Sequence, residues 1–288
     1  MKFLITGASG QLGRGWQRNL ESHPTDEFIA LNRQELDICN PESITKVFTE
    51  YKPDVCINTA AYTHVDKAEK EYYQAYRGNV LGPQLLAEAC AHRGIQLVHY
   101  STDYVFSGKL SDRDKYNDGY PEEAPTDPIN QYGASKLEGE KAVVSALPSA
   151  LIVRVSWLSG IEGNNFVKAI INRANSFGQL RVVNDQYGAP CFVPDIVEQS
   201  LFLIQNRHLG IYHLGSKGCI SWYDFAEKII EYSNLNVPIE VVESSIFPTQ
   251  AKRPRFSKLS TSKLEATGMT IHSWEIGCKT LVSELIKA

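Results

Sequence analysis

The chain has 288 residues, of which 43% are hydrophobic and 22% charged, and a formal net charge of −4. Such a length buries a substantial core, in one large α/β domain or in two lobes, and the balance is ordinary for a soluble globular protein. A weakly acidic chain offers no general footprint for nucleic acid or an anionic membrane, so an anionic ligand must be met by a local cluster.

Residues 2–6 form a short apolar run that stops at Gly7-Ala8-Ser9-Gly10-Gln11-Leu12-Gly13, with Trp16 and Leu20 following at helical spacing. A strand feeding a G-x-x-G-x-x-G turn that opens a helix lets the backbone approach a pyrophosphate, whose charge the free N–H groups and the positive helix end receive. Without a ligand the same pattern is only a tight strand-to-helix turn. Phe28-Ile29-Ala30-Leu31 reads as a second strand, ending at Asn32-Arg33. NAD sites of this architecture place an acid near this point. Here no carboxylate stands at the strand tip to repel a ribose 2′-phosphate, and a guanidinium is available to pair with one. NADPH is favoured, with NADH possible. Leu36-Asp37-Ile38 comes next and could flank the adenine.

Asn40-Pro41 starts a helix, with Asn as N-cap and Pro at its first position. A third strand over 54–58 runs into Thr59-Ala60-Ala61-Tyr62-Thr63, whose small residues permit close approach to a cofactor. Residues 66–93 are helical in pattern, with a break near Gly82-Pro83 and a polar Asn79 in an otherwise packed face. A fourth strand, 95–100, delivers Ser101 and Thr102 to the carboxyl edge of a sheet. Strands alternating with helices predict an α/β fold with a doubly wound, Rossmann-like parallel sheet and a ligand at its carboxyl edge.

From Ser107 to Asn130 the chain is polar and broken by Pro121, Pro125 and Pro128, which predicts a mobile flap over the site. A helix over 131–146 puts Tyr132 and Lys136, four apart, on one face. A phenol ionises near pH ~10, and a nearby ammonium lowers that value, which suits a proton donor in carbonyl chemistry. Taken alone, Tyr-x-x-x-Lys is most often only a solvated helix face. A strand over 150–155 leads to Trp157. Beyond it the alternation loosens: a helix opens at 163–167, 180–183 and 210–214 are strands, and 194–206 is helical. Ser221 caps another helix, and 274–287 is an amphipathic one. Lys252-Arg253-Pro254-Arg255 could neutralise a diphosphate or be only a solvated surface. The expected division is a dinucleotide-binding domain over 1–156 and a mainly substrate-binding lobe over 157–288, with elements around 180–214 returning to the first.

The cysteines at 39, 56, 90, 191, 219 and 278 are dispersed, with no close pair and no Cys/His metal spacing. Reduced thiols in a cytoplasmic protein without a metal are the simplest expectation. The apolar run at 1–5 stops well short of a signal sequence, and no stretch approaches the ~18 apolar residues of a membrane span.

With Gly7, Gly10, Gly13, Thr102, Tyr132 and Lys136 in place, the chain resembles the extended short-chain dehydrogenase/reductase superfamily. More narrowly, it is similar to the dTDP-4-dehydrorhamnose reductase family. The resemblance runs through Ile5–Gly13, Ala60–Glu69, Ser101–Phe106, Tyr132–Glu140, Val183–Pro190 and Arg253–Leu259. The glycine motif and the Tyr/Lys pair mark the superfamily; Asp103-Tyr104-Val105-Phe106 and Asp185-Gln186-Tyr187-Gly188-Ala189-Pro190 are more particular. The resemblance implies that Gly7, Gly10, Gln11, Leu12 and Gly13 lie on the cofactor diphosphate, with Asn32 and Arg33 at the adenosine ribose. It sets Asp37 and Ile38 by the adenine and Ala60, Ala61, Tyr62 and Thr63 along the cofactor's middle. It implies that Thr102, Asp103, Tyr104, Val105 and Trp157 meet a sugar, that Arg253 reaches a nucleotide diphosphate, that Tyr132 donates a proton and that Lys136 binds the nicotinamide ribose. The implied reaction is NADPH-dependent reduction of the C4 ketone of a nucleotide sugar by a monomer or homodimer. Ser107 stands where the family usually has Asp or Asn, and Cys191 where Thr or Ser is usual. Two other readings share the fold: an epimerase or dehydratase that retains NAD, and a non-catalytic regulatory protein.

Overall fold

A computed structural model describes residues 1–23 and 25–287. Its centre is set by strands too apolar to face water. In β1 (Lys2–Thr6), Phe3, Leu4 and Ile5 are all 0% exposed. Side chains alternate across a strand. Phe3 and Ile5 therefore pack with Trp16 of α1 (Gln11–Glu21) on one face, while Leu4 packs with Ile44 and Phe48 of α2 (Pro41–Tyr51) on the other. Burial on both faces is what makes a parallel sheet's strands read as continuous hydrophobic runs.

The sheet has six parallel strands. β2 (Glu27–Leu31) borders β1, followed outward on the other side by β3 (Val55–Asn58), β4 (Gln96–Thr102), β5 (Leu151–Val155) and Gly210–His213. The chain goes from β1 to β2 and then crosses back to β3, so the strand order reverses between β1 and β3. Ligands of such sheets bind in the crevice beyond the carboxyl ends at this reversal. The α/β, Rossmann-like expectation is met.

Between β3 and β4 run α3 (Val65–Ala68), α4 (Tyr72–Tyr76), a π turn (Arg77–Leu81) and α5 (Gly82–Arg93). The predicted break at Gly82-Pro83 is in fact a widening one turn earlier. Pro83 has no N–H to give the carbonyl of Asn79, and the helix keeps going by loosening there. After β4 come a 3₁₀ turn (Asp103–Val105), α6 (Asp112–Lys115) and α7 (Gln131–Ala146). Asn130 caps α7 by accepting the Gly133 N–H at 2.8 Å.

The segment expected to be a mobile flap is anchored. Tyr120 is 1% exposed and stacks on Phe106 with ring centroids 4.4 Å apart. The Tyr120 N–H donates to Lys258 O at 2.9 Å, and the Glu122 carboxylate accepts the His213 N–H at 2.9 Å. Prolines and polar residues hid a few aromatic anchors, and these with Val105, Leu137, Phe256 and Leu259 form a cluster of their own.

The remaining elements are β6 (Leu158–Ser159), α8 (Phe166–Phe177), β7 (Leu180–Val183), β8 (Tyr187–Gly188), β9 (Cys191–Phe192), α9 (Val193–Gln205), β10 (the Gly210–His213 edge strand), β11 (Ile220–Ser221), α10 (Trp222–Tyr232), β12 (Ile239–Val242), α11 (Ser262–Glu265) and α12 (Trp274–Lys287). β7 pairs with β12, away from the large sheet. α8, α10 and α12 close a separate core around Phe225, Ile229 and Trp274. No helix among the described residues is long and apolar enough to cross a membrane.

Candidate active site

The crevice at the β1/β3 reversal is built from backbone. Gly7 has φ +68°, and a Cβ there would come within 2.7 Å of Ala60 N. A Cβ on Gly13 would collide with the Gly7 carbonyl. α1 therefore starts hard against the strand end. No side chain caps its first N–H groups, and its first turn holds no acid. An open, positive helix end beside bare backbone fits the diphosphate of a dinucleotide. The Gln11 side chain is already committed, donating to Leu158 O at 3.1 Å and accepting from Asn165 Nδ2 at 2.9 Å. Leu12 is 8% exposed and faces the core, so these two residues offer a ligand their backbone.

At the tip of β2, Asn32 folds onto its own turn: its N–H donates to Glu35 Oε2 at 2.9 Å and its Oδ1 accepts the Gln34 N–H at 2.8 Å. Arg33 is exposed beside it. Asp37 Oδ1 accepts the Cys39 N–H at 3.0 Å, whereas Ile38 is 6% exposed and packed against Gly82. Ala60 borders Gly7. The Ala61-Tyr62-Thr63 stretch is held by Asn79, which accepts the Tyr62 N–H at 2.8 Å and donates to Tyr62 O at 3.1 Å and Ser135 Oγ at 2.9 Å. Asn79 is 0% exposed, and the π turn is what aims it across the crevice.

The neighbouring strand end carries the chemistry-bearing side chains. Thr102 closes β4 and donates to Asp103 Oδ1 at 2.9 Å. α7 comes close because Gly133 lies on the Tyr104 carbonyl, where any Cβ would collide. That approach sets the Tyr132 ring edge-on to Tyr104, with centroids 5.6 Å apart. Burial, reinforced by the Asp103 carboxylate and opposed by the Thr102 hydroxyl, pushes the Tyr132 phenol up to about 12. The depression expected from Lys136 is absent. Lys136 is 2% exposed, gives its ammonium to Tyr100 O at 2.6 Å, and burial lowers it to about 8 against the pull of Glu140. A phenol that keeps its proton at neutral pH is the form a proton donor requires.

Thr102, Asp103, Tyr104, Tyr132 and Lys136 thus converge beside the glycine crevice. Val105 does not join them: it is 0% exposed in the aromatic cluster, and its carbonyl accepts the Asp127 N–H at 3.0 Å. Trp157, in the left-handed region at φ +44°, stacks on Trp222 at 3.5 Å and donates its indole N–H to Ser257 Oγ at 3.1 Å. Arg253 is paired with Asp66 at 2.6 Å and also donates to Ala251 O at 3.1 Å, so only part of its guanidinium is left for an anion. Sequence reasoning missed Asp66, Trp222 and Ser257 as neighbours of the site. It also missed the buried ion pair beneath it, Arg154 with Glu140 at 2.7 Å. Only Trp222, an aromatic opening a capped helix, carried a local signal. Among the described residues no group of His, Cys, Asp and Glu could hold a metal ion.

A Rossmann-like sheet with a glycine turn and a converging Thr, Tyr and Lys defines an oxidoreductase of the extended short-chain dehydrogenase/reductase type. A family model described as the RmlD substrate binding domain matches residues 1–287. A dTDP-4-dehydrorhamnose reductase of Aggregatibacter actinomycetemcomitans is 38% identical, covering 97% of this chain and 98% of that protein. Among solved structures, a dTDP-4-dehydrorhamnose reductase from Clostridium acetobutylicum is 40% identical with a TM-score of 0.94, covering 99% of both chains. Another from Bacillus anthracis, in complex with NADP, is 38% identical with a TM-score of 0.93, covering 98% of this chain and 99% of that one. The chain belongs to the dTDP-4-dehydrorhamnose reductase family.

Proposed function

We propose that this protein reduces the C4 ketone of dTDP-4-dehydro-L-rhamnose to give dTDP-L-rhamnose, using NADPH, for the synthesis of rhamnose-containing polysaccharides. The reading is carried by family membership over the whole chain together with an intact Thr102, Tyr132 and Lys136 at one crevice. Bound NADPH supplies the hydride. The Gly7–Gly13 turn and the first N–H groups of α1 receive its diphosphate, and Arg33 pairs with the 2′-phosphate. Lys136 holds the nicotinamide ribose. Tyr132, kept protonated by burial, passes its proton to the ketone oxygen as that oxygen gains charge. Such a positioned acid is worth ~10²–10⁴ in rate. Thr102 hydrogen-bonds the same oxygen, and one donor aimed at a nascent oxyanion contributes ~10²–10³. The first 156 residues carry the cofactor; the later segments, Trp157 and Arg253 among them, carry the sugar nucleotide.

The protein acts in the cytoplasm as a monomer or homodimer, in keeping with its six free cysteines. The deciding assay mixes purified protein with NADPH and the 4-keto sugar nucleotide. Loss of NADPH absorbance matched by dTDP-L-rhamnose is expected. A protein that leaves NADPH untouched, or carries a tightly held NAD through purification, refutes the assignment.

A further inference from the structure

Thr102 can serve the substrate ketone only if its single hydrogen is free, and here that hydrogen is taken. Its Oγ1 donates to Asp103 Oδ1 at 2.9 Å and accepts the Tyr104 N–H at 3.3 Å. A hydroxyl has one hydrogen and two acceptor sites, so the oxygen keeps one acceptor site and no donor. Asp103 is itself under strain of solvation. It is 4% exposed, its Oδ2 is buried with no hydrogen-bond partner among the described residues, and so is the neighbouring Ser101 Oγ. A buried carboxylate satisfied at one oxygen is costly, and a proton removes most of that cost.

Resting on the reductase reading above, we infer that Asp103 is a positioning residue that sets the direction of the Thr102 hydroxyl. As a neutral acid it donates from Oδ1 into the free acceptor site of Thr102 Oγ1 and turns the threonine hydrogen outward to the ketone. As a carboxylate it draws that hydrogen to itself. The neutral form leaves every polar site on Thr102 used, and it sets no negative charge beside an oxygen that is becoming an alkoxide.

The surroundings of Asp103 leave it to titrate on its own. Tyr132 faces it from α7, Tyr104 from its own turn, Cys191 from β9 and Ser257 from the segment after Arg255. Burial pushes both phenols and the Cys191 thiol up, so all three stay uncharged at neutral pH. Beyond Asp103 itself, the charges that act on Tyr104 are those of the Asp66–Arg253 ion pair, which neutralise each other. Burial raises the Asp103 acid to about 7, against the pull of the Thr102 hydroxyl. Both forms are accordingly reached near neutral pH. The one rival titrating nearby is Lys136, which burial brings down to about 8.

The test has two arms. In the first, kcat of the NADPH-loaded enzyme is followed across the neutral range. It should fall about tenfold per pH unit on the alkaline side, with an apparent pKa near 7 and an unchanged KM for NADPH. Asp103→Asn should lose that limb, and Thr102→Ser should keep it. A flat wild-type profile, or an Asp103→Asn enzyme with the same limb, assigns the titration to Lys136 or to nothing and overturns the inference. In the second, the Asp103 carboxyl is titrated by NMR on isotope-labelled protein, with no turnover required. Thr102→Val removes a donor to the carboxylate and should move the midpoint upward; an unmoved midpoint overturns the inference. If the 4-keto sugar is not reduced at all, the reductase reading fails while the second arm still decides this one.

Discussion

The two ends of the site are built by different means. At the glycine turn, Gly7 and Gly13 meet within a few residues of chain, and the groups left open are backbone N–H groups of α1. On the side of Thr102, the side chains of Thr102, Tyr132, Trp157 and Arg253 come from four distant segments, and their placement depends on buried side chains. A local site tolerates changes elsewhere but not a single added methyl group. A site assembled from distant segments tolerates surface changes but not the loss of a buried partner.

That contrast can be broken or sharpened by four substitutions. Tyr132→Phe should lower kcat by ~10²–10⁴ while leaving the NADPH Kd nearly unchanged; a parallel loss of cofactor affinity would show the two ends to be one unit. Glu140→Gln leaves the Arg154 guanidinium, 3% exposed, without its counter-charge, facing a neutral amide, Phe106, His213 and the Glu122 carbonyl. Losing one partner of a buried ion pair costs about 3–5 kcal/mol. Denaturant unfolding should register that cost, and a shift near zero would mean the pair does not hold the assembled side of the site. Gly13→Ala forces a methyl group onto the Gly7 carbonyl, and overpacking of this kind costs about 1–3 kcal/mol. The melting temperature and NADPH affinity should both fall, with kcat at saturating cofactor preserved. Smallest is Arg33→Ala, which removes an exposed guanidinium. One charge-assisted hydrogen bond is worth about 1.5 kcal/mol, so the KM for NADPH should rise about tenfold and that for NADH should not move.

The π turn links the two ends. Asn79 clamps Tyr62 on the side of the glycine turn and Ser135 on the α7 side. Gly139 sits so close to the Asn79 carbonyl that a Cβ would collide with it. The helix widened by Pro83 is therefore what brings α7 within reach of the crevice. Its irregularity serves the site rather than marking a flaw in the packing.

The strands, the glycine turn and the helix at 131–146 were legible in the chain because each depends on near neighbours: apolar runs, a glycine spacing, a capping Asn. The four-residue spacing of Tyr132 and Lys136 likewise ensured a shared helix face. What that face would do was decided by the tertiary structure. Lys136 reaches the Tyr100 carbonyl, burial raises the Tyr132 phenol instead of lowering it, Val105 turns into the core, and Arg253 pairs with Asp66. Desolvation and partner choice depend on residues brought together across the chain, 36 positions apart for Lys136 and Tyr100 and 187 for Arg253 and Asp66, and local periodicity carries no information about them.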